Sequence, residues 1–151
     1  MLELTHEMTF RERIEGPLGP TESSPPRLCW QIAEATLSGP RIAAKLAMPG
    51  LDWIRVEPDG TRRQDQRAQF LTDDGVAILM RYDAAIIRAD PGFAAALAAG
   101  EETAFGAQYM CMAPLFDVAD PEYGWLTHNL FVARGRLAGP REIEYEIHRL
   151  V

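Results

Sequence analysis

Alternation of apolar and polar residues with a period of two runs through most of the chain, and it restricts the fold more than any other feature. Near the start, Leu2, Leu4, His6, Met8 and Phe10 fall on one parity, with Glu3, Thr5, Glu7, Thr9 and Arg11 on the other. Successive side chains of a strand point to opposite faces, so this is the pattern of a half-buried strand. The same reasoning predicts strands over 27–37, 41–48, 51–57, 61–72, 76–87, 105–117, 125–137 and 141–151. Pro- and Gly-containing breaks separate several of them, at 38–40, 49–50, 58–60 and 138–140. The stretch GPLGPTESSPP (16–26) is too rich in Pro, Gly and Ser for regular structure and reads as a mobile loop.

One helix is expected, over 90–102. Asp90 can cap it, Pro91 suits its first position, Ala and Leu propagate it, and Gly100 ends it. About nine strands with short connections describe an antiparallel meander. A sheet that long curls, and closing it removes its exposed edges. The predicted fold is therefore mainly β: a single domain over 1–151, an antiparallel β-barrel of about eight to nine strands with one short α-helix.

Charge and cysteine content exclude several functions. The formal net charge is −7, against a phosphate track for nucleic acid and against an anionic membrane surface. No apolar run approaches the roughly 20 residues that span a bilayer, and the N-terminus lacks the order of a secretory signal. Cys29 and Cys111 stand far apart without a CxxC, so the expected setting is a reducing cytoplasm. His6, His128 and His148 have no short ligand spacing, although His6 and His148 could meet if the terminal strands pair. No metal and no cofactor are expected. Asp73-Asp74-Gly75 lies between two apolar runs, and turn chemistry accounts for both residue types, with Asp74 and Gly75 at the centre of the turn.

Several segments, taken in order, resemble the domain-of-unknown-function 3237 family, also called uncharacterised protein family 0311. They are SGPRI (38–42), GLDW (50–53), PDGTRRQDQR (58–67), LTDDGVAI (71–78), PLFDVADPEYGWL (114–126) and FVARG (131–135). The resemblance implies a compact antiparallel barrel, often dimeric, and little about chemistry. The family pattern carries paired glycines where this chain has Glu34-Ala35, an Arg at Cys111 and an Asn at Thr127. Such departures suit a member with its own ligand.

The candidate catalytic residues are Glu34, Asp65 and Arg67. Asp65 and Arg67 share a strand face, and on an inward face they would place an acid beside a cation. The alternative is a structural ion pair. Glu34 follows Trp30 and Ile32 in parity; among apolar neighbours its pKa would rise, whereas a bulge near the strand end would turn it to water. Trp125, Thr127, Asn129 and Phe131 share one face and, with Trp30, Trp53 and Tyr109, form the expected substrate-binding set, unless they are simply core. Asp52 reads as a residue that hydrogen-bonds its own turn.

The expected function is binding of a small, partly apolar molecule in the lumen. Acid–base catalysis without a cofactor would follow, of the isomerase, cyclase, lyase or hydratase type. The alternatives are a lipocalin-like carrier without catalysis and a structural homodimer.

Overall fold

The computed structural model describes residues 1–19 and 27–151. Eleven strands run in the order β1 (Leu4–Leu18), β2 (Arg27–Gly39), β3 (Ile42–Leu46), β4 (Gly50–Val56), β5 (Arg62–Thr72), β6 (Ala77–Tyr82), β7 (Ala85–Ile87), β8 (Met110–Met112), β9 (Leu115–Asp117), β10 (Phe131–Gly139) and β11 (Glu142–Leu150). Helix α1 (Pro91–Ala99) lies between β7 and β8, and a 3-10 helix (Pro121–Leu126) between β9 and β10.

The sheet closes on itself, and every pairing is antiparallel. β1 pairs β11 and β2; β11 leads through β10, β8 and β7 to β5; β5 returns to β2 through β4 at one end and β3 at the other. This is the expected β-barrel. The expected strands over 76–87 and 105–117 are each broken in two, and β9 pairs only with β6. The expected strand over 125–137 begins instead at Phe131, because Pro121–Leu126 coils into the 3-10 helix capped by Asp120. Gly16 to Leu18 continue β1, and residues 20–26 of the expected mobile loop lie outside the described residues.

Alternation fills the interior. Met8, Phe10, Glu12 and Ile14 of β1 point inward, as do Gln64, Gln66, Ala68 and Phe70 of β5 and Ile143, Tyr145 and Ile147 of β11. Phe10 stands 6.0 Å from Phe70 edge-on and 5.9 Å from Tyr145 in a stack, measured between ring centres. Such aromatic pairs add about 0.5–1.5 kcal/mol each beyond their burial.

Two of the bulges among the described residues bear on which side chains face inward near the barrel ends. In β1 the register slips between His6 and Met8. This turns Glu7 into a buried position held by Arg41 at 2.8 Å and Arg149 at 2.7 Å. A Cβ on Gly39 would stand 2.1 Å from the Glu7 carbonyl, so only glycine fits opposite that bulge. In β2 the extra residue is Ala33, between the pairs Ile14–Ile32 and Arg13–Glu34.

The two ends are plugged differently. Helix α1 covers one end with Phe93 and Ala96; Asp90 caps it by accepting hydrogen bonds from the Gly92 and Phe93 amides at 2.7 and 3.1 Å, and Gly100 ends it in the left-handed region. The 3-10 helix closes the other with Leu126 and Trp125, the latter 6.1 Å from Phe131 and beneath the Arg41 guanidinium. The Asp73-Asp74-Gly75 segment is a hairpin loop. Thr72 and Val76 pair across it, Gly75 takes a φ of 87°, and Asp74 accepts from the Thr72 and Tyr123 hydroxyls. Thus the turn is a three-residue one, one residue longer than expected.

Candidate functional site

One level of the interior is polar. Glu12 and Asp52 are only 2% and 4% exposed, and Gln64, Gln66, Tyr82 and Tyr145 are buried with them. Four strands supply the hydrogen-bonded groups. β1 places Glu12 two residues beyond Phe10, β4 places Asp52 between Gly50 and Ile54, β5 adds both glutamines, and β11 adds Tyr145.

Two hydrogen-bonded chains link these groups. The Tyr145 hydroxyl donates to Gln64 Oε1 at 3.2 Å, and Gln64 Nε2 donates to Asp52 Oδ2 at 2.8 Å. Separately, Gln66 Nε2 donates to Glu12 Oε2 at 2.9 Å. Glu12 Oε1, Asp52 Oδ1, Gln66 Oε1 and the Tyr82 hydroxyl have no partner among the described residues. Buried polar groups are nearly always paired, so four atoms without a partner set this level apart from the rest of the interior. Tyr145 owes its position to Gly135, where a Cβ would come within 2.6 Å of the ring.

Burial separates the two carboxyls. Loss of hydration, reinforced by the Asp52 charge and opposed by the Gln66 bond, pushes the Glu12 pKa up to about 8. Loss of hydration also raises Asp52, to about 6, against the hydrogen bonds from Gln64 and the Asp65 backbone. Both carboxyls are thus held above their ordinary range, Glu12 further than Asp52. The Tyr82 and Tyr145 hydroxyls, raised first by burial and then by Glu12, stay neutral.

An enclosed space of about 20 Å³ adjoins Asp52 and Gln64, bounded by Ile14, Trp30, Arg62 and Phe93 among others. That is the volume one water requires.

Of the expected residues, only some face this space. Trp30 borders it, half-buried. Glu34 does not: the Ala33 bulge turns it outward, 74% exposed at its side chain and 3.1 Å from Arg13. Asp65 and Arg67 are on the outer face of β5, because Gln64, Gln66, Ala68 and Phe70 take the inner one. Trp53 is outside for the same reason, paired with Asp65, while Asp52 beside it faces in. None of the three expected catalytic groups is therefore in the lumen.

Tyr109 is exposed beneath Arg88 and lines an outer groove of about 850 Å³ with Cys111, Val132 and His148. Trp125, Thr127 and Asn129 do not share a strand face. Thr127 caps the 3-10 helix and the Asn129 amide donates to the Trp125 carbonyl at 2.8 Å. Phe131 is core. The terminal strands do pair, bringing the His6 and His148 rings to 5.2 Å. No group of three or more potential metal ligands occurs among the described residues. Nor is any helix among them long and apolar enough to cross a membrane.

The missed residues left a signal. On β5, Ala68 and Phe70 share parity with Gln64 and Gln66, so the apolar end of that strand identifies its inner face. On β1, the alternation from Met8 and Phe10 continues to Glu12 and Ile14.

Fold and site together define a closed antiparallel β-barrel with two buried carboxyls, Glu12 and Asp52, at one end of its lumen. Residues 2–150 match the family described as a protein of unknown function, DUF3237, and the chain belongs to that family. No curated protein matches the sequence.

Solved structures share the fold. A conserved protein of unknown function from Rhodopseudomonas palustris superposes with a TM-score of 0.87 at 22% identity, over 100% of this chain and 99% of that one. A beta-barrel like protein from Acinetobacter baumannii gives 0.78 at 21%, over 100% and 97%. An enzyme from Penicillium herquei gives 0.62 at 20%, over 100% and 94%.

Proposed function

We propose that this barrel is a cofactor-independent acid–base catalyst acting on a small, partly apolar molecule at the α1 end of its lumen. Asp52 removes a proton and Glu12 delivers one, which suits isomerisation, cyclisation, elimination or hydration. The observation that carries this reading is the pair of buried carboxyls, each held by a glutamine, with burial raising Glu12 further than Asp52. Environments that push two pKa values apart assign the acid and the base. Gln64 and Gln66 hold the carboxyls in place, and the Tyr82 hydroxyl, which has no partner among the described residues, is a neutral donor for an oxyanion. The fold is one on which an enzyme exists, in the Penicillium herquei protein.

The test is conversion of small molecules in an extract of the host, followed by mass spectrometry with wild type, Asp52→Asn and Glu12→Gln. Wild type is expected to deplete at least one compound, and Asp52→Asn to slow this by about 100-fold or more. Conversion that survives both substitutions at full rate would falsify the mechanism.

A further inference from the structure

The α1 end of the lumen holds a cation that its surroundings do not explain. Arg62 is half-buried and forms no ion pair or hydrogen bond with any described residue. Its neighbour Arg63 points the other way and pairs with Glu57 at 2.7 Å. Arg62 instead extends along Phe93, with its Cζ 5.8 Å from the ring centre. Loss of hydration lowers its pKa and no carboxylate raises it back. A partly desolvated guanidinium without a counter-ion gains from an anion that pairs with it.

Its position indicates what that is. Arg62, Ile87 and Phe93 line both the small space beside Asp52 and an outer cleft of about 360 Å³ between α1 and the β4–β5 turn. These three side chains are thus the partition between solvent and lumen. Along β5, Arg62, Gln64 and Gln66 form an inward ladder spanning about 13 Å at roughly 3.3 Å per residue. Two other charged groups line the cleft. Asp90 caps α1, and Arg88 lies over Tyr109 at 4.0 Å. One free guanidinium beside Ile54, Ile87, Phe93 and Trp30 suits a single negative charge on an apolar body.

We propose that the site takes a monocarboxylate with an apolar body, entering by the cleft beside α1. Its carboxylate pairs with Arg62 and its far end reaches Gln64 and Asp52. This deepens the acid–base reading and rests on its choice of the α1 end as the reacting end. Arg62 is a binding residue here and takes no part in the proton transfer.

The probes are 3-phenylpropanoate, its neutral amide 3-phenylpropanamide, and phenyl phosphate. Each is titrated into the full-length wild-type protein while the backbone and Arg62 side-chain N–H signals are followed by NMR. The carboxylate is expected to bind at least 10-fold more tightly than the amide or phenyl phosphate, moving the Arg62, Gln64 and Phe93 signals. Arg62→Gln is expected to erase the preference over the amide, and Arg62→Lys to retain part of it. Equal affinity of acid and amide for wild type overturns the proposal without any variant having to fold. So do tighter binding of phenyl phosphate and an acid preference that survives in Arg62→Gln. Because binding is read and not turnover, a carboxylate preference without Asp52-dependent conversion overturns only the acid–base mechanism.

Discussion

The two halves of the lumen are built by the same strands and differ in chemistry. Toward the 3-10 helix, Met8, Phe10, Leu37, Phe70, Ile78, Phe116, Phe131 and Ile147 belong to one apolar cluster, and the buried polar Glu7 and Thr72 are both partnered. Toward α1, the same strands present Glu12, Gln64, Gln66 and Tyr145. Two residues along β1 separate Phe10 from Glu12, and two along β11 separate Ile147 from Tyr145. The apolar half therefore supplies stability, and the polar half draws on it. A pair of carboxyls in dry surroundings is tolerated because the rest of the barrel is closed and well packed.

The largest test of this contrast is pH. A carboxyl whose folded pKa lies above its unfolded value binds its proton more tightly in the native state. Its contribution is whole below the unfolded value and is lost as pH rises through the folded one. For Glu12 that window runs from 4.5 to about 8. Such a shift corresponds to roughly 5 kcal/mol. Asp52 acts in the same direction between 3.8 and about 6. Wild type is expected to lose stability steadily from pH 5 to pH 9 in urea titrations, and Glu12→Gln to flatten the curve above pH 6.5. Parallel curves for the two proteins would place Glu12 in water and remove the distinction between the halves.

Substitution without change of pH sharpens the same comparison. Phe70→Ala empties a fully buried site in the apolar half and is expected to destabilise by about 3–5 kcal/mol. Tyr82→Phe is equally buried but removes a hydroxyl that has no protein partner. It is expected to change stability by less than about 1 kcal/mol in either direction. Thermal and urea unfolding of the two variants measure the difference. A loss of several kcal/mol in Tyr82→Phe would show that its hydroxyl is bonded after all.

Much of the barrel was legible because alternation, turn residues and helix caps all act locally. Asp90, Pro91 and Gly100 delimit α1 to within a few residues of the expected span. The interior was harder to read, because choosing a face requires knowing which parity the closed sheet turns inward. β4 shows why: Leu51 and Trp53 are apolar on one parity, Gly50 and Ile54 on the other, and the polar Asp52 is on the inner one. β5 was decidable from Ala68 and Phe70, yet its charged residues drew attention to Asp65 and Arg67. Local parity also fails at a bulge. Ala33 shifts β2 by one residue, so Ile32 and Ala35 face in and Glu34 faces out. The 3-10 helix is a different kind of miss, since the alternation of Trp125, Thr127, Asn129 and Phe131 is real but three of the four precede the strand.

The smallest expected effect belongs to the outer wall. Glu34 meets Arg13, which is shared with Glu15 at 2.6 Å, and all three side chains are open to solvent. Such pairs contribute little because water screens them and ordering two long side chains offsets the attraction. Glu34→Gln and Asp65→Asn are therefore expected to leave the urea midpoint, its slope with pH and any Asp52-dependent conversion where they are in wild type. Raising the salt concentration should erase whatever small shift Glu34→Gln produces, while leaving the pH response of the buried Glu12 largely intact, since mobile ions screen the surface far better than the interior. A pH response that vanished in Glu34→Gln would instead move the titrating group to the outer wall, and the barrel's dry end would lose its claim to the chemistry.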